Sequence, residues 1–345
     1  MTAGLRVLTP GLMTTLQDLG RPGFQRLGIP VSGALDPVSL RAANLMVGNP
    51  AGTAALEIAY QGPLLAVEVD SVRVALAGAG APLDILGEAG VAERVPPLTS
   101  VSLQRGQRLR IGALSGGAVA YLAVEGGFAV APVLGSRSTY VRAGIGGFAA
   151  RAIAAGDVLP LVQDAAAERE EQMLPALDLV APARYRIVLG PQDDYFTQAA
   201  IRTLLEATYT VTPATDRMGM RLDGPRLEHA KGFNIVSDGI APGAIQVPGN
   251  GLPIILLADR QTTGGYPKVA AVVSADLPAL GRLMPGAQIA FEAVSIDEAE
   301  AARRQMMAYV AELEASVTLA RRNGVIDEAK LMAANLVSGV VDARS

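Results

Sequence analysis

The sequence predicts a mainly β protein made of short, turn-rich strands, and three observations carry that expectation. Apolar residues alternate over short stretches, as in Val72-Arg73-Val74-Ala75-Leu76 and Tyr185-Arg186-Ile187-Val188-Leu189. Glycine (38 residues) and proline (22) punctuate the chain, at roughly every eight to twelve positions. Helical periodicity is confined to a few segments. Strands this short favour closed or strongly coiled sheets over a doubly wound α/β sheet, so barrels are expected.

With 345 residues, half of them apolar, the chain can bury one large core or two ordinary ones. A charged, alanine-rich stretch between about residues 163 and 182, containing Glu168-Arg169-Glu170-Glu171, marks the boundary. It separates a first domain over 1–165 from a second over 183–295, followed by a C-terminal helical segment over 296–345. The first helix is expected to start at Asp36 as N-cap with Pro37 at its first position. Leu40, Ala43 and Val47 share a face, and Gly48 stops it. A second helix is expected from about Asp194 to Glu206, with Phe196, Ala200 and Leu204 on one face. A third begins at Ser295, whose capping box with Glu298 precedes Ile296, Ala299, Met306, Val310 and Leu313, and is expected to close the second core. Weak self-similarity links Val7-Leu8-Thr9-Pro10 with Val188-Leu189-Gly190-Pro191, and Ser115-Gly116-Gly117 with Thr263-Gly264-Gly265. The unequal offsets require insertions if the halves arose by duplication.

Lys+Arg number 29 against 33 Asp+Glu, a net charge of -4. That balance is too acidic and too evenly spread to neutralise nucleic-acid phosphates, so small molecules or proteins are the expected partners. The absence of cysteine excludes disulfides, thiolate chemistry and sulfur-ligated zinc, leaves only carboxylates to hold a metal, and suits a reducing cytoplasm. No signal peptide is expected around Arg6 and Asp18, and no apolar run is long enough for a membrane span.

Several chemistries find no support. There is no Gly-Lys pair, hence no P-loop, and any nucleotide site must be of another kind. Gly144-Ile145-Gly146-Gly147-Phe148-Ala149 fits a loose dinucleotide fingerprint without its strand-to-helix context and reads as a glycine-rich turn. The single histidine, His229, has no Gly-x-Ser-x-Gly serine to serve and reads as a partly exposed strand residue. None of the lysines, Lys231, Lys268 and Lys330, stands between two methionines, so no covalent biotin is expected on this chain.

Three segments carry candidate chemistry. Asp259-Arg260-Gln261-Thr262-Thr263-Gly264-Gly265-Tyr266-Pro267-Lys268 lies between two apolar strands as a hairpin-like crossing. Its glycines allow close backbone approach, Gln261, Thr262 and Thr263 offer donors and acceptors, and Lys268 adds a cation on the rim. A carboxylate or phosphate pocket and a tight turn satisfying its own backbone are equally compatible with this pattern. Ser32-Gly33-Ala34-Leu35-Asp36, with Asn44 and Glu57, is a second dense polar group, readable also as a cap and solvated loops. In Gly135-Ser136-Arg137-Ser138-Thr139-Tyr140 the Arg137 guanidinium suits bidentate grip of an anion or pairing with an interior acid.

Taken together, Leu16-Gln17-Asp18-Leu19-Gly20-Arg21, Ser32 to Pro37, Asn44 to Pro50, Leu134 to Tyr140, Asp216-Arg217-Met218-Gly219, Pro242 to Pro248 and Asp259 to Lys268 are similar to ordered motifs of one family. The chain resembles, over about residues 5 to 295, the C-type subunit of ATP-dependent 5-oxoprolinase, the family also called KipA or allophanate hydrolase subunit 2. The resemblance implies two tandem cyclophilin-like β-barrel domains with a few peripheral helices. It also implies a hetero-oligomer with two further subunits, one KipI-like and one LamB/YcsF-like, that opens 5-oxoproline to glutamate at the expense of ATP. ATP would be bound with the partner, and this chain would be inactive alone. On this reading Lys268 and Gln261 are catalytic. Gln246, Thr262, Thr263, Gly264, Gly265, Tyr266, Ser32, Asp36, Asn44, Glu57, Arg137 and Tyr140 bind substrate. Related domains form the carboxyltransferase part of urea carboxylase, so a biotin-dependent carboxyltransferase is one alternative, with a true allophanate hydrolase less well supported because no amidase serine machinery is visible. Another is a non-enzymatic regulator that sequesters a KipI-like kinase inhibitor. Ser237-Asp238-Gly239 stands where Ser-Glu-Gly is expected, shortening an acid by one methylene, and the segment after about Asn323 has no counterpart in the family.

Overall fold

The structure, a computed structural model, describes residues 4–87, 90 and 92–320. The segment after Asn323 therefore lies outside the described residues. Strands dominate. In the first half they form two sheets that enclose one core. One has six strands in the order Val158–Pro160, Gly4–Thr9, Leu64–Val67, Arg108–Ile111, Leu83–Leu86, Ala92–Arg94. The other has five, in the order Met13–Gln17, Ala55–Ala59, Ser115–Val124, Ser71–Gly80, Val101–Gln104. The two-residue period explains the layering. On Ser71–Gly80, Val72, Val74 and Leu76 join the core between the sheets. Ala75 and Ala77 point the other way, where their small size lets the helix Pro37–Met46 (α1) settle with Leu40 and Met46. Its cap is as the sequence predicts: Asp36 accepts from Val38 N at 3.0 Å and Ser39 N at 3.2 Å.

The second half closes into a seven-stranded barrel, ordered Tyr185–Leu189, Lys268–Val272, Ala244–Gln246, Ile254–Leu256, Gly219–Asp223, Thr208–Val211, Gln288–Ala293. Parallel pairing of Tyr185–Leu189 with Gln288–Ala293 completes the ring. Ring closure by hydrogen bonds is thus found in this half, whereas the first half closes its core with two facing sheets. Ile187, Leu222, Ile245 and Phe291 fill the barrel, and the helix Gln198–Glu206 (α2) plugs it with Ala200 and Leu204. This helix begins later than the periodicity suggests. Asp193–Tyr195 is a separate 3-10 turn, Phe196 is extended, and Thr197 caps by accepting from Ala200 N at 3.1 Å. The threonine's local hydrogen bond sets the start. A short helix, Leu277–Gly281 (α3), lies between the ring strands Lys268–Val272 and Gln288–Ala293.

The third long helix, Ile296–Ser316 (α4), carries the expected capping box. It does not close the second core. Only Ala302 and Leu313 are buried, and the helix touches both α1 and Tyr185–Leu189. Beyond it, Thr318–Leu319 pairs antiparallel with Gln172–Met173, and Asp178 N donates to Tyr309 Oη at 2.7 Å. The helix is therefore a strap across both halves, as its largely polar faces allow. The charged stretch between the halves is also tied down: Glu171 accepts from Arg73 Nε at 2.9 Å and Ser102 Oγ at 2.8 Å.

Candidate functional site

The segment from Asp259 to Pro267 is not a hairpin. Its flanking strands, Ile254–Leu256 and Lys268–Val272, both pair with Ala244–Gln246, one on each side. The segment must therefore cross over that middle strand, and in crossing it lays Thr263–Gly264 against Asp238–Gly239. Beneath this crossover the structure brings together Gln246, Gln261 and Lys268. Lys268, expected on the rim, is 2% exposed, because its strand register sets it opposite Gln246, under the crossover. Its Nζ reaches Asp238 Oδ2 at 3.1 Å, and Gln192 Nε2 donates to the same oxygen at 3.3 Å. The Lys268 hydrogen bond, then the Gly239 N–H, holds the Asp238 carboxyl below the ordinary carboxylate value. Asp238, half exposed, is the rim group.

Gln261 Nε2 donates to Gln246 Oε1 at 3.2 Å. Among the described residues Gln246 Nε2 is left with only Tyr266 O at 3.5 Å, and the buried Gln261 Oε1 has no partner. The two hydrogen-bonded amides therefore carry one unsatisfied acceptor and one weakly engaged donor. Gly264 keeps this corner open: a Cβ there would come within 2.6 Å of Gln246 Nε2. Thr262 and Gly265 are half-buried around it, and Thr263 and Tyr266 are exposed.

Ser32, Asp36 and Glu57 belong to a different place, the seam between the halves. Glu57 Oε2 accepts from Leu35 N at 2.9 Å and Tyr121 Oη at 2.6 Å, while its Oε1 meets Arg217 Nη1. Arg217 reaches across from the second half, donating also to Asp259 Oδ2 at 2.8 Å and Gly33 O at 2.6 Å. Burial alone would pull the Arg217 guanidinium down, but Glu57 and Asp259 more than offset it and hold it firmly charged. Burial, then the charges of Glu57 and Asp36, push the Tyr121 hydroxyl well above its ordinary value, so it remains a donor. Asp36 pairs with Arg282 Nη1 at 2.7 Å, and Ser32 N donates to Ala258 O at 3.2 Å. Beside this network opens a cavity of about 500 Å³, within the range of small-molecule sites. Arg217, Asp259, Thr15 and Arg142 supply polar points, and Tyr60 and Met218 supply apolar wall.

The remaining candidates lie apart from both groups. Asn44 is wholly engaged in structure, its Nδ2 on Leu40 O and Thr53 O and its Oδ1 on Asn49. Arg137 is exposed, with Nε on Val130 O at 2.7 Å. Tyr140 is half-buried and bridges to Ile145. His229 is a half-buried bridge residue, Nε2 lying 3.0 Å from Val247 O. Among the described residues no cluster of three or more His, Asp and Glu could hold a metal, and no helix is long and apolar enough to cross a membrane. Sequence reasoning gave no role to Arg217, Tyr121 or Arg21. Arg217 and Arg21 stood inside quoted motifs, which was the available signal.

Comparison with known proteins gives the family. The family model for the carboxyltransferase domain, subdomain A and B, matches residues 27–293. The C-type 5-oxoprolinase subunit of Escherichia coli (strain K12) is 37% identical over 90% of this chain and 97% of its own length. That of Haemophilus influenzae is 37% identical over 86% and 93%. The crystal structure of the Kluyveromyces lactis urea carboxylase superposes with a TM-score of 0.83 at 28% identity, over 94% of this chain and 30% of that one. With the family model covering most of its length and relatives matched nearly end to end, the chain belongs to the carboxyltransferase domain family, alongside the C-type subunits of 5-oxoprolinase.

Proposed function

We propose that this chain is the C-type subunit of a cytoplasmic, ATP-dependent 5-oxoprolinase. The reaction converts 5-oxo-L-proline, ATP and water to L-glutamate, ADP and phosphate. The chain works with two further subunits, one KipI-like and one LamB/YcsF-like, and is inactive alone. The observation that carries this reading is the 37% identity to the E. coli protein over 97% of that protein's length. The Gln246–Gln261 corner supports it chemically. A lactam holds its N–H and C=O on one side of a cis amide. Gln261 Oε1 can accept the N–H while Gln246 Nε2 donates to the carbonyl oxygen, where negative charge grows as the amide is attacked. Lys268 would grip the substrate carboxylate by exchanging it for that of Asp238. ATP, held with the partner subunits, supplies the driving force. Neither ATP nor biotin is assigned a covalent site on this chain.

The test is glutamate release from 5-oxoproline and ATP by the three co-purified subunits, each omitted in turn. Turnover that needs all three supports the reading, and a stable but inert complex refutes it. Lys268→Met should abolish turnover while the complex still assembles. Wild-type activity in that variant would remove Lys268 from the site. A second reading, carboxyl transfer from carboxybiotin, is favoured by the family model and by the superposition on urea carboxylase. It calls for a biotinylated carrier protein and for carboxylation of an amide substrate without glutamate release.

A further inference from the structure

The loop over residues 141–150 belongs to neither polar group, yet its backbone is unusual. After the turn Val141–Ala143, Gly144 (φ 63°), Gly146 (68°) and Gly147 (61°) are left-handed, and so are Ala149 (53°) and Ala150 (55°). Alanines rarely adopt that conformation, and such residues gather where a backbone is shaped for a task. The amides are equally uncommon. Gly144 N donates to Val141 O, Ile145 N to Tyr140 O and Arg151 N to Phe148 O. The successive N–H groups of residues 146–150 have no acceptor among the described residues.

Directly beneath lies Arg21, fully buried. Its Nη2 donates to Ser138 O, while Nε and Nη1 have no partner among the described residues. A Cβ at Gly146 would come within 2.6 Å of that Nη2, and one at Gly147 would collide with Thr139 Oγ1. Gly146 thus sets the backbone onto the guanidinium, and Gly147 sets it onto Thr139. No carboxylate among the described residues makes an ion pair with Arg21. The oxygens of Asp18 are taken by Gly20 N, Ser136 Oγ, Ser138 Oγ and Arg137 N, and those of Asp259 by Arg217. Burial pulls the Arg21 guanidinium below its ordinary value, with Asp18 and Asp259 opposing. A buried cation without a counter-charge is costly until an anion arrives. Val141 and Arg142, from the same loop, line the seam cavity.

We propose that the 141–150 loop and Arg21 form an oxyanion site that takes a phosphoryl group, as free phosphate or as a nucleotide's terminal phosphate, at the mouth of the seam cavity. The left-handed pairs Gly146-Gly147 and Ala149-Ala150 leave a run of N–H groups without an acceptor among the described residues, donors that an anion can take up. The planar guanidinium below supplies charge-assisted donors. Arg137 and Arg142, both exposed, add positive potential, Arg142 being shared with Asp216 at 3.2 Å. The site is independent of the lactam reading, since phosphate binding by the isolated chain requires no turnover.

The experiment is hydrogen–deuterium exchange of the full chain with and without inorganic phosphate, paired with calorimetric titration of phosphate, ADP and ATP. Phosphate should slow exchange in peptides spanning 141–150, and Arg21→Gln should weaken binding by at least about tenfold. Should that variant fold poorly, Gly146→Ala, whose added methyl meets Arg21, should remove binding and protection together. Tighter binding of ATP or ADP than of phosphate identifies the nucleotide as the source, and comparable binding identifies free phosphate. Unchanged exchange over 146–150 at saturating phosphate, or undiminished affinity in folded Arg21→Gln, overturns the proposal. Glutamate release by the assembled subunits is scored separately, so either reading can fail alone.

Discussion

Replacing Arg217 by methionine should cost far more stability than removing any surface arginine. The guanidinium joins Glu57 and Asp259, whose side chains are 4% and 7% exposed, and donates to Gly33 O at 2.6 Å. Methionine matches much of the volume but leaves two buried carboxylates facing each other without a cation. Removing one partner of a buried ion pair costs about 3–5 kcal/mol, because the remaining charge stays desolvated. Arg142→Met provides the control. Its pair with Asp216 is 3.2 Å long with side chains 61% and 57% exposed, a class worth about 0–1 kcal/mol. Equilibrium urea unfolding of both variants gives the comparison directly from the midpoints at a common slope. Glu57→Gln, which keeps the contacts to Leu35 and Tyr121, should fall between them. A loss in Arg217→Met no larger than in Arg142→Met would refute the seam as an electrostatic lock.

Asp36→Asn retains an N-cap of equal quality but withdraws the charge from Arg282, 2.7 Å away, and should cost about 2–3 kcal/mol in urea unfolding. Gly264→Ala should lower kcat and kcat/KM together, since its Cβ meets Gln246 Nε2 at 2.6 Å and displaces the donor assigned to the oxygen where charge develops. The Asp238 carboxyl is held below its ordinary value of 3.8 by Lys268. Its depressed folded value means the stabilisation is present above that pH and disappears as pH falls through the folded value. The stability difference between wild type and Asp238→Asn should accordingly be flat near neutral pH and vanish in acid. A difference that grew on acidification would contradict the ion pair.

What the sequence disclosed follows from the range of each interaction. The cap at Asp36, the box at Ser295 and Glu298, and the alternation of Val72 to Leu76 and Tyr185 to Leu189 are fixed by neighbours within one turn or one strand. All appear where expected. The second helix was misplaced at its start because Phe196 fits the periodicity, while Thr197, one residue on, makes the cap. Ring closure was legible only as a tendency of short strands. Whether seven strands close or eleven divide into two sheets depends on pairings such as Tyr185 with Phe291, which no local pattern encodes. The strap formed by α4 was hidden for the same reason: its contacts are with α1 and with Tyr185–Leu189, and the strand after it, Thr318–Leu319, pairs with Gln172–Met173.

The site was half legible, and the division has a single physical cause. Gln261, Gly264 and Lys268 could be grouped because the crossover that carries them is one continuous segment. Glu57 could be named but not explained, since its partner Arg217 is 160 positions away. Yet the two groups are joined by consecutive residues. Asp259 belongs to the seam, Gln261 to the Lys268 corner, and their Cα atoms can be no more than about 7 Å apart. Arg260 between them is buried, with Nε on Ile240 O at 3.1 Å and Nη1 on Leu257 O at 3.3 Å. Burial lowers it to about 10, so it remains a cation at neutral pH, pinned by carbonyls alone. Ile240 N in turn donates to Thr262 O at 3.0 Å. A displacement at Asp259 therefore has little slack to absorb it before Gln261. For that reason Arg217→Met, which touches none of Gln246, Gln261 and Lys268, should weaken substrate binding as well as the fold.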